Sequence, residues 1–196
     1  MPTEKALLIV DVQNDFCLGG ALAVREGDRI VPTINQYLQY FSSRHWPIFA
    51  SRDWHPRETE HFQSFGGAWP SHCVQNTPGA RFHPDLQLPP DAIVVSKGMD
   101  SRGESYSAFL GKDEKGTDLL SLLNKKGVEE LWICGLATDY CVKSSVLDAL
   151  NFFKAALLVD AIKGVNLKAG DSQAAIDLML KSGARKMTLS ELAFAK

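Results

Sequence analysis

One cysteine of the chain, Cys141, lies where the sequence favours a reactive thiol. Residues 135–141 join a short apolar run to an amphipathic stretch, which predicts a turn from a strand into a helix. Thr138 has the residue type of a helix N-cap, so we expect Cys141 in the first helical turn. Backbone N–H groups and the helix dipole favour the thiolate there, and the same N–H groups can hold an oxyanion during acyl transfer. The alternative, a buried structural thiol, fits Cys134 inside the apolar run better.

Two charged residues that follow other apolar runs supply the groups that a thiol nucleophile needs. Asp11 follows residues 6–10, and Lys97 follows residues 92–96. A carboxylate beside the sulfur can take the thiol proton and later protonate the leaving group, and burial raises the pKa of a carboxylate toward the working range. Lys97 would balance and orient this carboxylate. The alternatives are a turn-capping aspartate and a solvated surface lysine.

A second candidate site begins with the segment Asp53-Trp54-His55. Residues two apart in an extended segment project to the same side, so Asp53 and His55 can share a metal ion. His61 and His72 follow in the next stretch and can complete the ligand set. Carboxylate and imidazole ligands suit Zn, Fe or Mn. Two loop histidines alone are more often surface residues, but beside the Asp-x-His segment we favour a metal site.

The elements that must position these residues alternate in a pattern typical of an α/β protein. Six short runs are apolar on both faces, as in a parallel sheet covered by helices: residues 6–10, 48–51, 92–96, 131–134, 156–159 and, more weakly, 186–189. Four stretches have apolar residues at helical spacing: 28–43, 117–126, 139–153 and 171–182. Right-handed crossovers then give a doubly wound sheet, in which ligands bind at the carboxyl ends of the strands.

The candidate residues all fall at the predicted carboxyl ends of strands. Asp11, Asp53, Lys97 and residues 135–141 each follow one of the first four runs, so we expect them at one edge of the sheet. Residues 55–90 show no clear period and are rich in Pro, Gly, His and aromatic residues. A long irregular stretch inside a compact domain is more often functional than idle.

Composition limits the class of protein and its partners. The chain has 196 residues, 45% hydrophobic and 22% charged, which fits one globular domain spanning residues 1–196. A net charge of −2 gives no bulk attraction to nucleic acid or to anionic lipid, so neither partner is expected. The first residues lack a signal-peptide core, and no apolar run reaches the roughly 20 residues of a membrane span, so we expect a cytoplasmic protein. The four cysteines form no C-x-x-C pair, which favours reduced thiols.

Five segments of the chain, in the same order, resemble those of the nicotinamidases, also called pyrazinamidases. These enzymes belong to the isochorismatase-like cysteine hydrolases. The segments are DVQNDF at 11–16, DWHP at 53–56, WPSHCV at 69–74, KG at 97–98 and GLATDYCV at 135–142. The resemblance implies a three-layer α/β/α fold with a six-stranded parallel sheet. It also implies metal-dependent hydrolysis of nicotinamide to nicotinate and ammonia, with pyrazinamide as a further substrate.

The resemblance implies a role for each matching residue. The catalytic triad would be Asp11, Lys97 and Cys141. One divalent metal, zinc first and iron or manganese as alternatives, would have the ligands Asp53, His55 and His72, with His61 a fourth ligand in some members. The pyridine ring would lie between Phe16, Trp69 and Tyr106. A cis peptide would precede Ala137, whose N–H would hold the oxyanion together with that of Cys141.

Two alternative functions remain open from the sequence. Another hydrolase of the superfamily, an isochorismatase or an N-carbamoyl amidase, would lack the Asp53 and His55 pair. A catalytically silent binding protein on this fold would be expected to lose Asp11, Lys97 or Cys141, yet all three are present. The expected partner is a small molecule, nicotinamide, and the protein is expected to be a monomer or a homo-oligomer.

Overall fold

The computed structural model describes residues 5–102 and 105–192, and this part of the chain forms one sheet of six parallel strands. The strands are β1 (Lys5–Val10), β2 (Ile48–Asp53), β3 (Ile93–Lys97), β4 (Glu130–Leu136), β5 (Lys154–Lys163) and β6 (Arg185–Met187). The α-helices of the described residues are α1 (Val31–Ser42), α2 (Leu119–Lys125), α3 (Lys143–Ala149), α4 (Asp171–Lys181) and α5 (Leu189–Leu192). The predicted fold class is confirmed.

The strand order places the ends of β1 and β4 side by side. The order is β3-β2-β1-β4-β5-β6, so the direction of winding reverses between β1 and β4. Such a reversal opens a crevice at the carboxyl ends of the strands, where α/β proteins bind their ligands. Val10 pairs with Gly135 across this point, and Asp53 pairs with Lys97. The four candidate segments therefore meet at one edge, as the sequence predicts.

Helices cover both faces of β1, which explains its continuous apolar sequence. Leu7 and Ile9 face the layer that contains Ile34 and Phe41 of α1. Leu8 and Val10 face the opposite layer, with residues of three helices: Leu123 of α2, Val146 of α3 and Met179 of α4. Burying each such side chain contributes about 1.5–3 kcal/mol, so a polar residue within β1 would be strongly destabilising.

Several element boundaries differ from the sequence-based predictions. The first helix begins at Val31, after a 3₁₀ turn at Gly27–Ile30, because Pro32 fits the first turn of a helix. The last strand ends at Met187, and α5 begins at Leu189, whose N–H donates to the Asp160 carboxylate at 2.7 Å. Residues 55–90 contain a single 3₁₀ turn and isolated bridges, as expected for an irregular stretch. None of the helices in the described ranges is both long and apolar enough to cross a membrane.

Candidate active site

Lys97 lies at the centre of a buried polar cluster that includes the predicted nucleophile. Its Nζ is 2.9 Å from Asp11 Oδ2 and 3.5 Å from Cys141 Sγ, and it also forms an ion pair with Asp53 Oδ1. Ser51 Oγ donates to the other oxygen of Asp11 at 2.7 Å and so fixes the carboxylate. The structure therefore brings together the three residues predicted to act on the substrate.

The charges in this cluster determine which groups hold protons. Burial by itself lowers the pKa of Lys97, but Asp11 and Asp53 outweigh it, so that pKa lies well above its usual value. Burial raises the pKa of Asp11, and Asp53 adds to this rise while Lys97 and Ser51 oppose it. Two carboxylates that share one ammonium group leave Asp11 with a stronger tendency to take a proton than an isolated aspartate has.

The surroundings of Cys141 oppose the thiolate that the sequence analysis expects at this position. Burial raises the pKa of Cys141 well above its usual value, and Asp11 and Asp53 add to the rise while Lys97 opposes it. The sulfur lies within 4.8 Å of a carboxylate oxygen of Asp11. This arrangement suits a mechanism in which Asp11 takes the proton as the sulfur attacks, because no stable thiolate is then required.

The turn that carries Cys141 is a π turn rather than the first turn of an α-helix. It spans Thr138–Val142, and α3 follows it directly. Thr138 makes no capping hydrogen bond, and Ala137 occupies the N-cap position, so the predicted cap is wrong. The reason is that Ala137 O accepts the N–H groups of both Tyr140 and Val142, at 3.0 and 3.1 Å. The peptide bond between Leu136 and Ala137 is cis, as the resemblance implies.

The two residues whose N–H groups are assigned to the oxyanion, Ala137 and Cys141, lie beside this turn and in it. Within the described ranges, the N–H of Ala137 donates to no backbone carbonyl. Both residues also line the cavity that contains the Cys141 sulfur. The geometry thus permits the predicted use of these two N–H groups.

Three histidines form a possible metal-binding site beside the cluster. Ligand nitrogens of His55, His61 and His72 all lie within 4.8 Å of one another. Nδ1 of His55 lies 3.0 Å from the carbonyl oxygen of Gly98, and Nδ1 of His72 lies 2.7 Å from that of Pro70. A carbonyl oxygen only accepts, so Nδ1 carries the proton in both rings and Nε2 keeps its lone pair. This tautomer is the one that ligates a metal through Nε2.

The buried Nε2 atom of His55 has no hydrogen-bond partner in the described part of the chain. It lies 3.6 Å from Asp53 Oδ2, and Nε2 of His72 lies 3.9 Å from the same oxygen. Burial lowers the pKa of His72, and burial together with the other two histidines lowers the pKa of His61 to about 4. Imidazole nitrogens around a carboxylate oxygen match the donor set of a divalent cation, so the residues present fit such an ion.

Asp53 belongs to both halves of the site. Its Oδ1 contacts Lys97, while its Oδ2 faces His55 and His72. Burial raises the pKa of Asp53, but Lys97 and His55 outweigh burial and keep that pKa well below its usual value. An ionised Asp53 can therefore neutralise Lys97 and supply a metal ligand at the same time.

Aromatic side chains form the cavity above the sulfur. Phe16, Trp69 and Tyr106, the residues predicted to hold the substrate ring, all line this cavity. Leu22, Tyr140 and Val165 complete its apolar lining. Trp69 Nε1 donates to the Tyr106 hydroxyl at 3.0 Å, and the rings of Trp69 and Tyr140 lie 5.0 Å apart. His61, His72 and Asp53 also line this cavity, so it connects the nucleophile with the histidines.

A larger groove lies elsewhere on the described surface. It has a volume of about 760 Å³, runs along the outer side of β3 and contains none of the triad or histidine residues. The aromatic cavity is smaller, at about 40 Å³. The smaller cavity is the candidate active site because the buried Cys141 thiol and two of the clustered histidines line it, whatever its volume.

Two polar residues that the sequence analysis left without a role bond the backbone at or beside the predicted metal ligands. Gln13 bonds both the N–H and the carbonyl oxygen of Asp53, each at 2.8 Å. Asp15 Oδ2 accepts the N–H of Cys73, the residue after His72, at 2.7 Å. Both belong to the segment at residues 11–16, but their partners are distant in the chain and sequence spacing does not reveal them.

The strand order defines a doubly wound α/β protein. The buried cluster of Lys97 and Cys141 lies where the direction of winding reverses, at the carboxyl ends of the strands. Residues 5–191 match the isochorismatase domain, and the chain belongs to the isochorismatase family.

Three relatives illustrate where the chain lies within that family. It is 42% identical to the nicotinamidase of Escherichia coli strain K12, over 95% of this chain and 96% of the relative. It is also 42% identical to the nicotinamidase/pyrazinamidase of Mycobacterium tuberculosis strain H37Rv, over 83% of this chain and 88% of the relative. The crystal structure of the Pyrococcus horikoshii pyrazinamidase in complex with zinc superposes with a TM-score of 0.88 at 45% identity, covering 95% of this chain and 99% of that one.

Proposed function

We propose that this protein is a nicotinamidase that hydrolyses nicotinamide to nicotinate and ammonia, and that it also deamidates pyrazinamide. The observation that carries the proposal is the contact of Cys141 Sγ with Lys97, which pairs with Asp11 beside an aromatic cavity that His61 and His72 also line. The similarity to nicotinamidases along nearly the whole chain supports the same activity.

In the acylation step, Asp11 takes the proton of the Cys141 thiol as the sulfur attacks the carboxamide carbon. The N–H groups of Ala137 and Cys141 hold the negative oxygen of the tetrahedral intermediate. Asp11 returns the proton to the amide nitrogen, the C–N bond breaks, and ammonia leaves. The product is a nicotinoyl thioester on Cys141.

In the deacylation step, Asp11 takes a proton from water, which attacks the thioester carbon. The C–S bond breaks, the sulfur regains its proton from Asp11, and nicotinate leaves. Lys97 stays charged throughout, since Asp11 and Asp53 hold its pKa well above the usual value. Its role is to orient Asp11 and to stabilise the charge that moves between carboxylate and sulfur.

We also propose a resident divalent metal, zinc first and iron or manganese as alternatives, with Asp53, His55, His61 and His72 as ligands. The orphaned Nε2 of buried His55 and the imidazole nitrogens of His55 and His72 near Asp53 Oδ2 support this assignment. When bound, the ion supplies a Lewis-acidic centre for the pyridine nitrogen, so the ring is held with its carboxamide toward Cys141. The histidine cluster favours a nicotinamidase over hydrolases of the family that lack it.

Removal of the metal should abolish discrimination between nicotinamide and benzamide, which lacks the ring nitrogen. We expect the metal-loaded protein to prefer nicotinamide by about 10³-fold or more in kcat/KM, because a site built around one polar contact strongly rejects an analogue without it. The His55→Ala variant should lose bound metal and most of this preference. Elemental analysis and steady-state kinetics with both amides measure the two effects.

The exposed His45 provides the matched control. His45→Ala should keep its metal and its preference. The proposed role of the metal in binding the pyridine nitrogen would be overturned by either of two results. The first is equal hydrolysis of benzamide and nicotinamide by the metal-loaded wild type, and the second is full activity after chelation has removed all metal.

Gly98 should be required for metal affinity, because its backbone supports His55. Its φ is 66°, and an added Cβ would lie 2.6 Å from His55 Nδ1, the atom that contacts the Gly98 carbonyl. Loss of such an outer support commonly lowers metal affinity by about 10–100-fold. We expect Gly98→Ala to show this loss in competition with a chromogenic chelator.

Gly116 is a suitable control, since its φ is 82° but an added Cβ would meet no atom within 4 Å. Gly116→Ala should therefore carry similar backbone strain and keep wild-type affinity. An equal loss in both variants would attribute the effect to strain rather than to His55.

A further inference from the structure

The buried carboxylate of Asp139 lies two residues before the nucleophile and binds a different loop. Its Oδ1 accepts the N–H of Val165 at 2.9 Å, and its Oδ2 accepts the N–H of Asn166 at 2.7 Å. Asp139 is only 4% exposed, so its carboxylate is shielded from water although the loop that it binds is partly exposed. Bonds from backbone N–H groups to a carboxylate are among the stronger hydrogen bonds, so the loop is firmly attached to the π turn.

The bound loop contributes a side chain to the substrate cavity. Val165 lines that cavity together with Cys141 and Tyr140, the residue that follows Asp139. On the other side, Asn166 Oδ1 accepts the N–H of Ser172 at 2.9 Å in the first turn of α4. The position of Val165 is therefore fixed from both ends of its loop.

The backbone of the loop is adapted to this carboxylate. An added Cβ on Gly164 would lie 2.9 Å from Asp139 Oδ1 and would also collide with Ser172 Oγ. Asn166 adopts a φ of 54°, in the left-handed region that asparagine tolerates better than most residues. The local sequence thus permits the close approach of the loop to the turn that holds Cys141.

From these contacts we propose that Asp139 is a positioning residue that holds Val165 against the cavity, and that Val165 limits the size of the pyridine carboxamides accepted. This inference rests on the proposed function, since it concerns selection among substrates at the same site. Asp139 touches neither the sulfur nor Lys97 in the described contacts, so it acts through the loop rather than on the reacting atoms.

The test compares nicotinamide with a panel of ring-methylated nicotinamides. A pocket discriminates one methyl group by about 10–200-fold, so the wild type should reject at least one methyl isomer by at least 10-fold in kcat/KM. Val165→Ala should relax this rejection by about 10-fold, and Val165→Leu should strengthen it. Asp139→Asn places an amide NH₂ against a backbone N–H, so it should raise the KM for nicotinamide and relax rejection of the same isomer.

The double variant separates positioning from general damage. Asp139→Asn combined with Val165→Ala should relax rejection of the methylated nicotinamide no further than Val165→Ala alone, because both changes remove the same restriction by the Val165 side chain. Leu167, exposed on the same loop, supplies the control, and Leu167→Ala should match the wild type. A uniform fall in kcat for every amide in Asp139→Asn, or unchanged rejection in Val165→Ala, would overturn the proposal.

A measurement on the wild type covers the case in which Asp139→Asn fails to fold. Hydrogen exchange at the amides of Val165 and Asn166 should be strongly protected although both lie in a loop. Rapid exchange at both amides would contradict the anchoring by Asp139. Failure of the wild type to hydrolyse nicotinamide would instead reject the proposed function, so the two failures are distinguishable.

Discussion

Replacement of Cys141 by alanine is expected to lower nicotinamide turnover by at least about 10⁴-fold, because the variant has no atom to form the thioester. The thiol lies 3.5 Å from Lys97 and within 4.8 Å of an Asp11 carboxylate oxygen, a position that no other cysteine of the described residues occupies. Initial rates of ammonia release, with nicotinate measured in parallel, provide the readout. Wild-type protein should also form a covalent thiohemiacetal with nicotinaldehyde, and the variant should not.

Cys134 is the matched control for this experiment. Its sulfur is buried in β4 and makes only a weak contact with Leu8 O at 3.9 Å. Cys134→Ala should lower the free energy of unfolding by about 1 kcal/mol through a small cavity and leave kcat nearly unchanged. Retention of full turnover by Cys141→Ala would reject the assignment of the nucleophile.

Replacement of Asp11 and Lys97 should give large losses that do not add. We expect Asp11→Asn and Lys97→Met each to lower kcat by about 10³-fold or more, because each removes part of one proton-transfer unit. The double variant should lose no more than about tenfold beyond the worse single variant. Steady-state kinetics of the wild type, the two single variants and the double variant complete this double-mutant cycle.

Stability must be measured beside this cycle, because Lys97→Met leaves two buried carboxylates without a counter-charge. Breaking a buried pair in this way costs about 3–5 kcal/mol, so denaturant unfolding is needed to show that each variant is folded. Lys112, exposed and bonded through its backbone to Ser96 of β3, is the control, and Lys112→Met should keep wild-type kinetics. Independent, additive losses from Asp11 and Lys97 would contradict their action as a unit with Cys141.

The sheet and the main site residues are predictable because they follow local rules. β1 is apolar on both faces since helices cover both, and Asp11 follows it at the carboxyl end where ligands bind. The same rule places Asp53, Lys97 and Cys141 at one edge. The restriction to one domain, the compartment and the oligomeric state stay predictions, since nothing in the fold of one chain tests them.

The remaining features depend on contacts between segments that are far apart in the sequence. Local cap preferences predicted Thr138 as an N-cap, but two hydrogen bonds to Ala137 O produce a π turn instead. Gln13 fixes Asp53 across 40 residues, and Asp139 holds Val165 across 26. The helix dipole predicted a thiolate at Cys141, whereas burial beside two carboxylates raises the pKa of this thiol. These effects require the assembled site.

The central claim is tested most directly by product analysis with nicotinamide. Purified wild-type protein with its metal content verified should convert nicotinamide to equal amounts of nicotinate and ammonia, with water oxygen incorporated into the nicotinate carboxylate. Trapping of the reaction should yield a nicotinoyl adduct on the peptide that contains Cys141. Folded, metal-loaded protein that releases no ammonia from nicotinamide, or that forms the adduct on another residue, would contradict the account.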